Sequence, residues 1–309
     1  MTRPIATVLG GNGFIGRQVV ERLVARGYTV RVASREPKKL GKLRRLGGGD
    51  KVVPAYASVT DATTLRSVFQ GAKVGVNLVS ILTESRDATF HAINAQGAGR
   101  AARSARNEGV ERYVHVSAIG ADHNSPSEYG RTKAEGEGHV RAAFPDAAII
   151  RPSVVFGPED RFLNMFAMMA RFSPVMPVFC ENTRFQPVYV GDVAEAIVRS
   201  LEREGNAPHL IEAGGPKVMT MLEIMRYVAQ EVGGKHLLLP VPLPLAKLEA
   251  RLFECLPGKL LTRDQLAMLQ LDNVVSGKTE TLENLKIEPT PLYRIAPLYL
   301  KKKWRFFRA

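Results

Sequence analysis

The stretch Val8-Leu-Gly10-Gly-Asn-Gly13-Phe-Ile-Gly16-Arg17 sets three glycines at a spacing of three, between an apolar run at Ile5–Leu9 and an amphipathic segment that reaches Arg26. Glycines there let the chain turn tightly and bring bare backbone against a pyrophosphate. The helix that follows aims its first N–H groups, and the positive end of its dipole, at the same anion. A lone glycine triplet is often only a tight turn; one that follows the first strand and opens a strand–helix–strand unit is a dinucleotide-binding signature.

Outward from that turn, short apolar runs alternate with helix-length segments, the pattern of a parallel sheet wrapped on both faces. Strands are predicted at Ile5–Leu9, Thr29–Ala33, Lys51–Pro54, Val74–Val79, Arg112–Ser117 and Ala147–Ile150, and helices at Gly13–Arg26, Ala62–Gln70, Ala88–Asn107 and Tyr129–Ala143. The fold class is therefore α/β, a doubly wound parallel sheet. A dinucleotide-binding domain is expected over residues 1–155, with its sheet completed by a returning strand at about 207–214. Beyond Phe156 the alternation stops and Pro and Met become frequent, so 156–309 reads as a smaller, discontinuous substrate- or partner-side lobe. Within it, Thr220-Met-Leu-Glu223 and Thr262-Arg-Asp-Gln265 have capping-box spacing and mark two helix starts.

Composition excludes other classes. The chain has 309 residues, 45% hydrophobic and 24% charged, which is ordinary for a globular protein and argues against disordered, collagenous and coiled-coil readings. Lys and Arg exceed Asp and Glu by 43 to 30, a net charge of +13 that suits an anionic partner: phosphorylated cofactor, acidic lipid, nucleic acid or acidic protein. Cys180 and Cys255 lie too far apart for a metal-ligand motif and are too few for a disulfide framework, which favours a reducing compartment. With the first strand read from Ile5 there is no room for a signal-peptide core, and no Arg/Ser-rich transit sequence is read, so the chain is expected to be cytosolic or already processed. Leu237–Ala246 is broken by Pro240, Pro242 and Pro244 and falls well short of a membrane span. The expected location is cytoplasmic, or peripheral on the cytoplasmic face of the inner membrane.

The end of the second strand decides which dinucleotide fits. An acidic residue there would hydrogen-bond the ribose 2′-hydroxyl of NAD; this chain carries Ser34-Arg35. Arg35 can fork onto a 2′-phosphate, with Arg17 and Lys38 or Lys39 adding charge, so NADP(H) is preferred over NAD(H). The rest of the basic run, Lys42, Arg44 and Arg45, reads as a solvated face.

A second signal is Tyr129-Gly-Arg-Thr-Lys133, twelve residues after Ser117 at the end of the fifth strand. Residues four apart share a helix face. The ammonium can then lower the phenol pKa and hydrogen-bond the nicotinamide ribose, while the phenol exchanges a proton with a carbonyl or alcohol.

With these motifs the chain resembles the short-chain dehydrogenase/reductases, in their extended and atypical branches, from about Ile5 to Gly214. Besides Gly10/Gly13/Gly16 and Tyr129/Lys133, the likeness rests on Asn94, on Arg151-Pro-Ser-Val-Val-Phe-Gly-Pro158 and on Gln186-Pro-Val-Tyr-Val-Gly-Asp192-Val-Ala. The resemblance implies that Ser58 and Val59 flank the adenine, that Leu78 and Val79 lie beside the cofactor ribose, and that Pro152–Val155 passes the nicotinamide. The expected cofactor-binding set is Gly10, Gly13, Phe14, Ile15, Gly16, Arg17, Ser34, Arg35, Ser58, Val59, Leu78, Val79, Asn94, Val116, Tyr129, Lys133, Pro152 and Val155. The expected catalytic set is Tyr129, Lys133 and Ser117, with no metal site.

Within that family the chain is similar to the nucleotide-binding accessory subunits of respiratory complex I and their bacterial relatives. The segments that carry this are Val116-Ser-Ala-Ile-Gly-Ala-Asp122, Ser125-Pro-Ser-Glu-Tyr129, Leu261-Thr-Arg-Asp-Gln-Leu266 and Leu271-Asp-Asn-Val-Val275. The likeness implies a structurally bound NADPH and docking to complex I or another quinone-linked membrane assembly. Two positions depart from the family pattern. Ala57-Ser58 replaces an acidic residue after the third strand, and Ala118 and Ile119 stand where extended members carry a serine. The second departure favours holding a cofactor over turning it over. The alternative is an active NADP-dependent oxidoreductase or epimerase acting on a small carbonyl, a sugar nucleotide or a quinone precursor.

The remaining features read more plainly. His91, His115, His123, His139, His209 and His236 show no metal spacing. Phe162, Met165, Phe166, Met168 and Met169 read as the second lobe's core, with a face for an isoprenoid tail as the alternative, and Asp160 and Asp192 as helix caps. The closing run Tyr299-Leu-Lys-Lys-Lys-Trp-Arg-Phe-Phe-Arg308 mixes cations with rings, which suits docking to an anionic membrane surface or membrane complex, with a merely solvated tail as the alternative; RNA would be drawn by the same composition, but no nucleic-acid-binding module accompanies it. Oligomeric state has no signature.

Overall fold

The computed structural model describes residues 3–203, 205, 209–253 and 262–301. They form two compact units, each built from three stretches of chain: Met1–Pro152, Val190–Ala213 and Val275–Glu288 in the first, and Ser153–Tyr189, Gly214–Val274 and Pro289–Ala309 in the second.

The first unit is an eight-stranded sheet, its strands numbered here in chain order: β1 (Ile5–Leu9), β2 (Thr29–Ser34), β3 (Val52–Tyr56), β4 (Val74–Asn77), β5 (Arg112–Val116), β6 (Ala148–Pro152), β7 (His209–Ala213) and β8 (Glu280–Thr281). Every pairing is parallel and the order is β8-β7-β6-β5-β4-β1-β2-β3. Sequence order reverses between β1 and β4, the switch point at which doubly wound sheets take ligands beyond the carboxyl ends of their strands. Val8 faces Val32 on one side and Val76 on the other, and Val76 faces Val114, all four at 0% exposure. Such near-continuous β-branched runs are what a sheet covered on both faces selects.

The helices of this unit are α1 (Phe14–Ala25), α2 (Ala62–Phe69), α3 (Ala98–Asn107), α4 (Glu128–Ala143) and α5 (Val190–Glu202). Asp61 starts α2 by accepting from the Thr63 and Thr64 N–H groups, and Ser127 starts α4 by accepting from Gly130 N–H at 2.9 Å. α5 packs beside α1, where the Glu195 carboxylate pairs with Arg26 at 2.8 Å.

Three findings refine the sequence reading. The segment expected to be one helix over Ala88–Asn107 is a π-helical turn at His91–Gly97 followed by α3. The sheet has eight strands rather than six plus one, because Glu280–Thr281 pairs with β7. Two residues carry no readable period, so β8 could not be found from pattern. Finally, the returning strand His209–Ala213 pairs with β6 as expected, and the chain before it from Val190, together with Val275–Glu288, also packs with the sheet rather than with the Pro-rich lobe.

In the second unit, Phe156, Leu163, Phe166, Met176, Ile224 and Met225 form the centre of the core. Both predicted capping boxes are present, at Thr220/Glu223 opening the helix Met221–Val232 and at Thr262/Gln265 opening Arg263–Leu269. Asp160 accepts from the N–H groups of Gly157, Leu163 and Asn164, and Tyr299 donates its hydroxyl to the same carboxylate at 2.6 Å. Of the aromatic and methionine set on Phe162–Phe172, Met168 departs from a core role: it is 51% exposed. Among the described residues no helix is long and apolar enough to cross a membrane. Cys255 and the tail from Lys302 lie outside the described residues.

Candidate functional site

The glycine turn is built by steric necessity. Gly10 adopts φ +77° and donates its N–H to Ala33 O at 2.8 Å, tying the turn to the end of β2. A Cβ at Gly16 would lie 2.3 Å from the Gly10 carbonyl oxygen and 2.6 Å from Gly11 Cα, so only glycine lets α1 come this close to the turn. Gly13 is the N-cap of α1 and offers no side-chain acceptor, which leaves the helix's first N–H groups, those of Phe14 and Ile15 among them, without an internal cap. Arg17 is anchored by its Nε–H to Asn12 O at 3.1 Å.

The ends of β2 and β4 flank this turn. Ser34 closes β2, and Arg35 beyond it is exposed, with no hydrogen bond or ion pair among the described residues. Glu36, the nearest acid, is held by Lys39 at 2.6 Å. On the other side Gly10 approaches Leu78 and Val79 closely enough that a Cβ would stand 3.5 and 3.6 Å from them. Val79 N–H is fixed by Asn77 Oδ1 at 3.0 Å. After β3, Ser58 Oγ pairs with Thr60 Oγ1 at 2.7 Å, and Val59 is buried with its carbonyl held by Arg100 of α3 at 2.6 Å.

Asn94 explains the π-helical turn. It is 1% exposed; its Oδ1 accepts from Ser80 Oγ at 3.1 Å and Ile81 N–H at 3.0 Å, and its Nδ2 donates to Ile81 O at 3.2 Å. The widened turn aims this amide at the loop after β4 instead of along the helix, a geometry common where helices carry functional side chains. α4 packs on the same turn so tightly that a Cβ on Gly136 would lie 2.2 Å from Asn94 O.

Tyr129 and Lys133 lie one turn apart on α4 and both are buried. Lys133 Nζ donates to Val116 O at 2.8 Å, at the carboxyl end of β5. Burial lowers the ammonium pKa to about 8, with the Glu137 carboxylate acting against it. Glu137 is itself held by both arms of Arg151, at 2.7 Å each. The Tyr129 ring meets Phe90 edge to face at 6.0 Å; burial raises its phenol to about 12, with a Ser80 hydrogen bond pulling the other way. Ser117 is 4% exposed and its Oγ has no hydrogen-bond partner. Beside it His115 is pushed well below its ordinary pKa by burial and then by the Lys133 charge.

The first unit thus gathers the glycine turn, Ser34, Arg35, Ser58, Val59, Leu78, Val79, Asn94, Val116, Ser117, Tyr129, Lys133 and Pro152 at or near the carboxyl ends of its strands. Val155 lies in the second unit, in the short strand Val155–Phe156. Sequence reasoning passed over Ser80, which hydrogen-bonds both Asn94 and Tyr129, and the Glu137–Arg151 pair beneath Lys133. No motif marks either, because each is defined by partners far along the chain.

Comparison with known proteins agrees with this architecture. A family model described as "NAD dependent epimerase/dehydratase family" matches residues 6–214. The chain is 33% identical over 301 residues to an Arabidopsis thaliana protein named NADH dehydrogenase [ubiquinone] 1 alpha subcomplex subunit 9, mitochondrial, covering 93% of this chain and 75% of that protein. It is 31% identical over 245 residues to a Caulobacter vibrioides protein named ceramide reductase, covering 78% and 75% of the two. The solved structure of Citrobacter sp. triphenylmethane reductase superimposes with a TM-score of 0.76 over 97% of this chain and 100% of that one, at 16% identity, a likeness of fold alone.

Proposed function

The chain belongs to the NAD dependent epimerase/dehydratase family, and on that premise we propose that it holds NADP(H) as a bound ligand and serves as an accessory protein of a complex I type or other quinone-linked assembly. It works peripherally on the cytoplasmic face of the inner membrane. The Gly10–Gly16 turn and the α1 N-terminus would hold its pyrophosphate, Ser58 and Val59 its adenine, and Lys133 and Tyr129 its ribose hydroxyls. The bound dinucleotide supplies hydride chemistry; these residues bind and orient it.

One observation carries the holding role. The Tyr129 phenol is engaged with Ser80, while the buried Ser117 hydroxyl has no partner and Ala118 and Ile119 bring no other. With the phenol turned to Ser80 in the loop after β4, Tyr129 and Ser117 are not joined to each other in the serine–tyrosine pairing that would polarise a substrate carbonyl. The relatives named as NADH dehydrogenase subunits support the same reading.

The test is to purify the protein without added nucleotide, denature it, identify what is released, and follow exchange with free NADPH. Stoichiometric NADP(H) that scarcely exchanges over hours is expected. Empty protein that binds NADPH reversibly and oxidises it steadily with a small carbonyl overturns the proposal.

A second reading, an active NADP-dependent reductase, draws on the intact Tyr129–Lys133 pair and the relative named ceramide reductase. Tyr129→Phe separates the two. In the holding role the retained dinucleotide stays stoichiometric and no measured activity changes; in the reductase role NADPH oxidation falls by about 100-fold or more.

Cofactor choice has its own prediction. Arg35 is exposed and uncommitted, so Arg35→Glu is expected to weaken NADPH binding by roughly 30-fold or more and NADH binding by less than about threefold. Isothermal titration of protein stripped of its dinucleotide, with both nucleotides, reads this directly, and equal losses would mean that Arg35 does not meet the 2′-phosphate.

A further inference from the structure

In the second unit the strands Val175–Phe179 and Leu237–Val241 form a two-stranded parallel ribbon. Along Val175–Phe179 alternate residues differ in burial but not in chemistry. Met176 and Val178 on the inner face are at 0% exposure and belong to the core, with Leu238 packed against it. On the outer face the register stacks Val175 on Leu237, Pro177 on Leu239 and Phe179 on Val241, three successive pairs without a polar side chain. Val175, Leu237 and Leu239 are 41%, 59% and 46% exposed. A ribbon with one face in water ordinarily alternates apolar and polar residues; this one is apolar on both faces.

The apolar surface continues at both ends of the ribbon. Phe172, three residues before Val175, is the most exposed large apolar residue among the described residues, at 85%. After Val241 the chain enters the helix Leu243–Phe253, whose Ala246 packs against Phe179, Cys180 and Val241 and so holds the helix beside the ribbon. Leu245 and Leu248 on that helix are 48% and 56% exposed. The charges here are mostly cationic: between positions 235 and 251 stand Lys235, Lys247 and Arg251 against Glu249 alone.

We propose that this face lies on an anionic bilayer surface, with the leucines and Phe172 sunk into the headgroup–acyl boundary and Lys235 and Lys247 meeting lipid phosphates. Leucine and phenylalanine bordered by cations are the composition of an interfacial contact. A protein partner would have to bury the exposed cations against acids of its own, whereas a bilayer of anionic lipid supplies the apolar floor and the negative rim together. No described helix can span a membrane, so the contact is one of lying on the surface. The inference deepens the peripheral membrane location proposed above, on which it rests, by naming the surface that makes the contact; it is separate from the cofactor role, because these residues belong to the second unit alone.

The experiment is flotation of the full chain with phosphatidylcholine vesicles, with and without phosphatidylglycerol. Binding is expected with the anionic vesicles. The double variant Leu237→Ser, Leu239→Ser should lower it by about tenfold or more while melting temperature and released dinucleotide stay unchanged. Leu248→Ser, on the neighbouring helix, gives an independent and smaller loss should the double variant fold poorly. The proposal is overturned if the wild-type chain leaves anionic vesicles unbound, or if both variants float as the wild type does, which would place the attraction elsewhere on this basic chain. Self-association without vesicle binding, abolished by the same substitutions, would show that a second copy covers the face, and overturns it as well.

Discussion

Replacing Lys133 with methionine is expected to strip the protein of its dinucleotide while leaving the empty fold about as stable as before. The ammonium is buried, with its pKa lowered to about 8 from an ordinary 10.5, so keeping it charged in the fold costs roughly 3 kcal/mol at neutral pH. Methionine of similar length removes that cost and leaves the Val116 carbonyl, now accepting from Nζ at 2.8 Å, without its donor. A lost buried hydrogen bond costs about 1–3 kcal/mol, so the two effects nearly cancel. The loss of a charged ribose contact has no such compensation, and NADPH affinity should fall about 100-fold.

The pH dependence carries the signature of this cancellation. Below about pH 8 the lysine is charged in folded and unfolded chains alike, and the cost is complete. Between about 8 and 10.5 the unfolded chain binds the extra proton, so the stability of the wild type rises with pH through that window. The variant lacks that rise. Chemical denaturation of cofactor-free protein from pH 7 to 10 tests it: parallel curves for wild type and Lys133→Met would show that the lysine is not buried in its charged form.

The largest loss of stability is expected from Gly16→Ala. The new Cβ would sit 2.3 Å from Gly10 O and 2.6 Å from Gly11 Cα, both backbone atoms that cannot swing aside. α1 must then move off the turn, at a cost of about 3–5 kcal/mol, and the pyrophosphate seat is lost with it. Gly13→Ala is the control. Its Cβ would meet only Gly10 O, at 3.1 Å, and its φ of −78° suits any residue, so about 1 kcal/mol or less is expected. Thermal melts of both variants, with released dinucleotide measured on the same samples, would rank them; equal losses would mean that close approach of helix to turn is not what Gly16 provides.

The difference between these two glycines shows where sequence reading stops. The triplet is legible as a motif, because spacing alone places a turn between strand and helix. Which glycine is indispensable follows from an interatomic distance. The same division runs through the fold. The six early strands alternate with helices at a length that only a parallel sheet explains, and the capping boxes at Thr220 and Thr262 are local chemistry spanning three residues. Glu280–Thr281 had no local signal; it is a strand because β7 offers it an edge.

The helix through Asn94 is the clearest case. Its composition reads as one continuous helix from Ala88, and nothing in its neighbours announces a π turn. The turn exists because the Asn94 amide is satisfied by Ser80 and Ile81, from the loop after β4, and because Gly136 lets α4 close on its carbonyl.

By itself the sequence determined the doubly wound sheet, the glycine turn, the Tyr129–Lys133 pair on one helix face and the basic Ser34-Arg35 end of the second strand. All of these depend on residues within a few positions of one another, where backbone geometry is periodic and side-chain direction follows from spacing. Only the tertiary structure decided that Lys133 is buried on Val116 with Glu137 and Arg151 beneath it, that Ser80 rather than Ser117 engages Tyr129, and that the ribbon of the second unit turns apolar residues outward on both strands. Each of those depends on which distant segments meet, and burial, desolvation and register come into being only when they do.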